Sequence, residues 1–102
     1  MKTFIWLQTR DSKFTYDAVA VSANSLIEAK NLVSDYFNNK LQADIQSWNK
    51  SSYGKDESKK EFTQSHFKRL TEMCKTNIYE VRMNDPLVIE HKVVEELYFG
   101  TE

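Results

Sequence analysis

The residues best suited to chemistry in this sequence are two histidines, one cysteine and scattered carboxylates. His66 and Cys74 would have to lie within about 3 Å of each other to act as a base and its nucleophile. The surrounding pattern places both on one helix, where a separation of eight residues holds them roughly 12 Å apart along the axis. We therefore expect a half-buried histidine and a buried cysteine that packs as a small apolar residue.

Few other residues could form a metal centre or an enzyme active site. His91 and Glu95 would share a helical face only if 90–98 were helical, and even with His66 a tetrahedral site would need a further ligand. The carboxylates near the N-terminus show no spacing typical of a general acid–base pair. The sequence also lacks the GxGxxG, P-loop, HExxH, CxxC and GxSxG motifs. It predicts no catalytic residue, no metal and no cofactor, and therefore a protein that is not an enzyme.

Length and composition predict one folded domain over residues 1–102. The chain is 40% hydrophobic and 13% aromatic, which is too apolar for a disordered chain and enough for one modest core. The formal net charge is −1, divided between a basic centre (38–76, net +3) and an acidic end (77–102, net −4). These two parts can neutralise each other in the fold, so the charge predicts no particular partner.

The N-terminal apolar run and the cysteine content bear on the compartment. The run from Phe4 to Leu7 spans four residues, whereas a secretory signal needs about 7–15 apolar residues and a membrane span about 20. Cys74 is the only cysteine, so an intrachain disulfide cannot form. We expect a cytoplasmic protein that does not contact the membrane.

The first third of the chain predicts two strands and a helix. Residues 3–9 and 14–21 are rich in aromatic and β-branched residues, and the polar turn 10–13 between them indicates a hairpin. Ser25, three residues before Glu28, forms the S-x-x-E pattern that begins a helix. The apolar positions that follow have helical spacing, and the polar residues 38–40 are suited to end this helix.

The middle of the chain is ambiguous. Leu41 and Ile45 alternate with Ala43 as in a strand, but Leu41, Ile45 and Trp48 also fit a helical stripe. We favour a short strand followed by a loop through 49–56, which contains Gly54 and several polar residues.

A second helix is predicted from the Ser58 and Glu61 pair to about residue 75. Strands are then predicted over 77–83 and 87–94, joined by a turn at 84–86. Residues 95–99 could continue the last strand or form a helical turn. The order β-β-α-(β)-α-β-β predicts an α+β domain, in which two helices pack on one face of a mostly antiparallel sheet.

Segment 47–60 carries the clearest binding signal. Trp48 and Tyr53 alternate with Lys50 and Lys55, and further lysines follow. Aromatic rings and lysines together can stack on bases and neutralise phosphates, so a nucleic-acid interface is one hypothesis. Acidic residues interrupt the run, which leaves contact with a protein as the hypothesis that we favour.

The C-terminal segment offers a second candidate surface. It is more apolar than the last strand of a small sheet requires, and an apolar edge can pair with a partner or with a second copy. We predict a protein-binding surface there, with a homodimer as one outcome; the alternative is that the two helices cover the segment. The predicted contact residues of this surface are Val94, Leu97, Tyr98 and Phe99.

Residues 1–37 resemble a known class of small proteins. The hairpin, the helix cap at Ser25 and Ala29 at the fourth position after it are similar to the β-β-α opening of small phage and mobile-element proteins. Some of these are anti-CRISPR inhibitors, which bind a host effector complex without catalysis. The resemblance covers the first third of the chain and implies a phage-encoded inhibitor, acting in the host cytoplasm by occluding the surface of a host defence complex.

Overall fold

The computed structural model describes residues 1–90. The elements follow one another as strand β1 (Lys2–Leu7), strand β2 (Ala18–Ala23), helix α1 (Leu26–Lys50), helix α2 (Ser52–Lys55), a 3-10 turn (Glu57–Lys59), helix α3 (Lys60–Met83) and strand β3 (Leu87–Glu90). Three antiparallel strands and the helices pack together into one α+β unit. The predicted fold class is confirmed.

The sheet has the order β2-β1-β3, with the N-terminal strand in the centre. Phe4 is paired with Val21 on β2 and with Val88 on β3. Phe4 and Trp6 are buried, so the face of β1 that carries them is the face covered by the helices. Trp6 also donates a hydrogen bond from its indole Nε1 to the Asn84 carbonyl (3.0 Å), which links β1 to the end of α3.

The connection between β1 and β2 is longer than the predicted four-residue turn. It runs over 8–17, and the predicted start of the second strand lies in this connection. Phe14 lies within this connection, is 3% exposed and belongs to the core. The Gln8 side-chain amide donates to the Phe14 carbonyl (2.8 Å). This hydrogen bond stabilises the loop that places the Phe14 side chain in the core.

Helix α1 begins where the sequence predicts. The Ser25 hydroxyl accepts a hydrogen bond from the Glu28 backbone N–H (3.2 Å), as an N-cap does. Ala29, Val33 and Phe37 are buried at intervals of four residues and form the face that packs on the core.

Helix α1 does not end at 38–40, the short strand predicted after it does not form, and most of the predicted loop 49–56 is helical. The helix continues through Lys50. Leu41, Ile45 and Trp48 are half-buried, whereas Ala43 is exposed. The helical stripe was therefore the correct interpretation, because these three side chains lie on the side of α1 that faces α3.

The start of the second helix also differs from the prediction. Helix α3 begins at Lys60, and its cap position has no side-chain hydrogen bond. Ser58 lies in the 3-10 turn instead, where its backbone N–H and its hydroxyl both donate to Asp56 Oδ1 (3.0 and 2.7 Å). Asp56 therefore caps the 3-10 turn, and the predicted Ser58 cap of the second helix does not form.

The predicted strand over 77–83 is wrong, because α3 extends through Met83. Cys74, Asn77 and Val81 are the buried residues of α3, and their spacing is helical. Strand β3 confirms the first half of the predicted strand 87–94, and the rest of that prediction lies outside the described residues.

Two long helices make the described part of the chain elongated. Helix α1 has 25 residues and α3 has 24, so each is roughly 36 Å long, against about 20 Å for a six-residue strand. The described part of the chain measures 62 × 27 × 25 Å along its principal axes. The helical hairpin formed by α1 and α3 therefore extends beyond the sheet. Within residues 1–90, neither helix has a stretch long and apolar enough to cross a membrane.

Asn77 fastens α3 to the connection between the first two strands. Its side chain accepts a hydrogen bond from the Thr15 backbone N–H (3.0 Å) and donates one to the Thr15 hydroxyl (2.8 Å). We expect Asn77→Ala to lower the free energy of unfolding by about 1–3 kcal/mol, because a part-buried N–H loses its partner. Urea denaturation followed by circular dichroism measures this change. The exposed Asn39→Ala is the control and should cost less than about 0.5 kcal/mol; equal losses in the two variants would contradict the assignment.

Candidate functional site

Four of the eight predicted contact residues lie together at the end of the helical hairpin. Trp48 and Lys50 occupy the last turn of α1, Tyr53 and Lys55 lie in α2, and the chain then enters α3. The other four predicted residues, Val94, Leu97, Tyr98 and Phe99, lie outside the described residues. The structure therefore brings together the predicted residues of segment 47–60.

A serine and a glycine shape the turn between α1 and α2. The Ser51 hydroxyl accepts from the Gly54 backbone N–H (3.3 Å) and donates to the Trp48 carbonyl (2.5 Å). Gly54 packs directly against the end of α1, and a Cβ at this position would overlap the Trp48 carbonyl and the Asn49 Cα. Glycine is required here by close backbone approach, and it allows α2 to fold back so that Tyr53 reaches Trp48.

Trp48 is the centre of a cluster of rings. The Tyr53 ring stacks on it, with centroids 5.5 Å apart and an interplanar angle of 28°. Two rings from α3 complete the cluster: the Phe62 centroid lies 5.9 Å and the His66 centroid 4.3 Å from that of Trp48. The indole Nε1 of Trp48 donates to the Thr63 hydroxyl (3.0 Å). We call Trp48, Tyr53, Phe62 and His66 the aromatic tip.

The aromatic tip is only partly buried. Tyr53 is 48% exposed and Phe62 is 58% exposed, while Trp48 and His66 are intermediate. Trp48 thus joins α1 to α3, and the rings of Tyr53 and Phe62 remain accessible beside it. The sequence predicts a half-buried histidine at position 66, but it assigns neither His66 nor Phe62 to this site. The helical interpretation of 41–48 could have revealed them. A helix through Trp48 places this side chain opposite the start of α3.

Charges of both signs surround the aromatic tip. Lys59 Nζ lies 5.1 Å from the centroid of the Tyr53 ring, a cation–π distance. Hydrogen bonds from the hydroxyl and the backbone N–H of Ser58 lower the pKa of the Asp56 carboxyl, so Asp56 is negatively charged at neutral pH. Four lysines and three acidic residues lie in this part of the chain: Lys50, Lys55, Lys59, Lys60, Asp56, Glu57 and Glu61. The net charge of this set is +1, so the rim is mixed rather than strongly basic.

His66 and Cys74 lie on the same helix and are held by different neighbours. His66 packs on Trp48, and its Nδ1 is 3.4 Å from an Arg69 guanidinium nitrogen. Cys74 is buried, and its Sγ is 3.5 Å from the Phe37 carbonyl. Burial raises the pKa of the Cys74 thiol, which disfavours the reactive thiolate. Among residues 1–90, no group of three or more His, Cys, Asp or Glu side chains is placed to hold a metal ion.

Comparison of the chain with family models, with curated proteins and with solved structures gives no match. Its function therefore has to be inferred from its own geometry.

Proposed function

We propose that this chain is a protein-binding module without catalytic activity, and that the aromatic tip is its contact surface. One observation carries the proposal: two accessible rings, Tyr53 and Phe62, lie against the half-buried Trp48 at the end of a protruding helical hairpin. Large aromatic side chains that fill a pocket on a partner are the usual source of interface energy.

The packing of the aromatic tip favours binding in a second way. Tyr53 stacks on Trp48 and has the Lys59 ammonium 5.1 Å from its ring centroid, and Phe62 projects from a regular turn of α3. Rings that already have a defined position lose less conformational entropy when a partner covers them. The surrounding charges of both signs would form the polar rim that is typical of a protein interface.

We also propose a class of partner. The resemblance of residues 1–37 to small phage proteins supports a host defence complex as the partner. A protruding hairpin that ends in aromatic residues is suited to enter a groove on such a complex and to occlude it. In this proposal inhibition requires only occupancy of the partner's surface.

Nucleic-acid binding at the same place is the second candidate, and the position of Lys59 beside the Tyr53 ring favours it. A base stacked on that ring would bring its phosphate near the lysines. This candidate predicts that binding of a labelled single-stranded oligonucleotide weakens steeply with salt, and that Lys50→Gln and Lys55→Gln weaken it further. The acidic residues in the rim oppose it, so we favour the protein partner.

Affinity capture from a host-cell lysate, with and without nuclease, tests the proposal. The wild-type chain should retain a stoichiometric protein after nuclease treatment. The double variant Tyr53→Ala/Phe62→Ala should lose it, because truncating two aromatic contact residues weakens binding by at least about 30-fold. Tyr79→Ala is the matched control, since Tyr79 is also on α3 and is 59% exposed, and it should retain the partner.

Two results would contradict the proposal. If the double variant captured the same protein as the wild type, the aromatic tip would not be the contact surface. If nuclease removed every captured protein, nucleic acid would be the ligand and the second candidate would replace the first.

A further inference from the structure

Within residues 1–90, the outer edge of strand β2 is unpaired and lacks the usual protection. In the described part of the chain the sheet order is β2-β1-β3, so no strand pairs with the outer side of β2. The strand has six residues, AVAVSA, without a charge or a proline. Strand β3, at the other edge, follows Pro86 and carries Glu90, whose carboxylate is 3.5 Å from Lys2 Nζ. Natural sheets normally protect an edge with charges or proline, and β2 has neither.

The hydrogen-bond pattern identifies which backbone groups of β2 face outward. Leu7 pairs with Ala18 at the end of the β1–β2 ladder, so the next pair would be Gln8 and Asp17. The Gln8 N–H donates to the Asp17 carbonyl (2.8 Å), which makes this a hydrogen-bonded pair. Hydrogen-bonded and non-hydrogen-bonded pairs alternate along an antiparallel ladder. Residues 19, 21 and 23 are therefore bonded to β1. Ala18, Ala20 and Ser22 direct their N–H and carbonyl groups to the free edge.

An apolar groove runs beside this edge. Half-buried Val19 and Val21 form one wall of the groove and α1 forms the other. The groove has a volume of ≈ 330 Å³. Leu32 and Tyr36 on α1 border the groove and are 42% and 55% exposed. The lining contains no charged side chain. An edge with unpaired backbone groups next to an apolar groove is the arrangement to which an additional strand binds.

We propose that the occupant of this edge is β2 of a second copy of the chain, so that two three-stranded sheets join into one of six strands. Side chains opposite each other in an antiparallel pair lie on the same face. A twofold axis at Ala20 therefore places Ala20 opposite itself and Ala18 opposite Ser22 of the second copy. This register uses all three outward-facing residues and forms about six hydrogen bonds.

The choice of a second copy rests on self-complementarity. An edge without charges brings no like charges together when it meets itself, and the free groups of β2 match themselves in the register centred on Ala20. The helices of both copies lie on the same side of the joined sheet. The exposed Leu32 and Tyr36 of each copy would then add apolar contact beside the paired strands, which alone are small for a stable interface. Such a dimer would also present two aromatic tips and could bind a repetitive partner bivalently.

Charge substitution at Ala20 tests the dimer and its register together. Ala20 is exposed, and its N–H is not used by β1, so Ala20→Lys and Ala20→Glu should fold normally. Sedimentation velocity over a range of concentrations should show a monomer–dimer equilibrium for the wild type. Because position 20 faces itself across the axis, each variant alone should dimerise more weakly, and an equimolar mixture should recover the dimer. We expect about a tenfold difference in Kd between the mixture and either variant alone.

Leu87→Lys serves as the control. It places the same charge on an exposed position of β3, at the opposite edge, and it should leave the equilibrium unchanged. A wild type that stays monomeric at every concentration would overturn the proposal and leave the edge to the chain's own residues 91–102 or to another protein. A dimer that is insensitive to both Ala20 substitutions would equally overturn it.

Discussion

Replacing Trp6 with alanine is expected to lower the free energy of unfolding by about 3–5 kcal/mol. Trp6 is 4% exposed and lies in the central strand, where its ring fills space between the sheet and the helices. Its indole also donates to the Asn84 carbonyl (3.0 Å). The substitution would remove both the packing and the link to the end of α3. The loss would be a large part of the 5–15 kcal/mol typical of a small domain.

Urea denaturation followed by circular dichroism measures this effect, and two further variants separate its causes. Trp6→Phe keeps most of the packing but removes the hydrogen bond, and it should cost about 1–2 kcal/mol. Leu7→Ala changes the next residue of the same strand, which is 50% exposed and on the opposite face; it should cost less than about 1 kcal/mol. If Leu7→Ala were as damaging as Trp6→Ala, the assignment of the buried face would be wrong.

Phe37→Ala is expected to have an effect of similar size, about 3–5 kcal/mol. Phe37 is 3% exposed, and three aromatic rings surround it. Tyr16 stacks on it with centroids 5.5 Å apart, Phe14 lies edge-on at 6.1 Å, and Tyr36 contacts it at 5.7 Å. Removing this ring would leave a cavity where α1 meets the connection between the first two strands, and the cluster could close it only in part.

The same denaturation experiment tests Phe37→Ala against Phe62→Ala. Both substitutions remove a phenylalanine ring from a helix, but Phe62 is 58% exposed in the aromatic tip and should cost only about 1 kcal/mol. The stability account therefore predicts a clear difference between the two variants. Equal costs would mean that the aromatic tip is as important for folding as the core, and would weaken its assignment as a binding surface.

Local chemistry determined which parts of this fold were predictable. The Ser25 cap and the buried positions of α1 that follow it give a strong signal, because a hydroxyl acceptor and helical spacing point to the same structure. The aromatic and β-branched residues near the N-terminus likewise predict the strand that the structure shows there. The length of the connection between β1 and β2 was not predictable, because Phe14 looks like a strand residue, whereas in the structure it reaches the core from a loop.

Two helical segments were predicted as strands, and the reasons differ. Residues 77–83 contain Ile78, Tyr79 and Val81, which favour strands, and the helical stripe passes through the polar Asn77. Asn77 is buried because Thr15 satisfies its hydrogen bonds, and sequence alone does not show that partner. Tertiary packing of α1 against α3 outweighed local preference in 77–83. In 41–50 the local preference already favours a helix, because leucine, alanine and glutamine are good helix formers, and the alternation of apolar residues was misleading.

The candidate site was predicted in part. Trp48 and Tyr53 stand out in the sequence because they alternate with lysines. Phe62 and His66 were missed as members, because their partner is Trp48 and this contact exists only when α1 extends to Lys50. An error in one helix boundary therefore hid half of the aromatic tip.

Site-specific photocrosslinking of the full chain in a cell lysate shows directly whether the aromatic tip contacts a protein. A photoreactive phenylalanine analogue would replace Tyr53 in one sample and Tyr79, which is similarly exposed, in the other. If the aromatic tip binds a protein, position 53 will give a crosslink to one protein that resists nuclease, and position 79 will give none. A crosslink to the same protein from position 79 but not from position 53, or a product at position 53 that nuclease abolishes, would contradict the aromatic tip as a protein-binding surface.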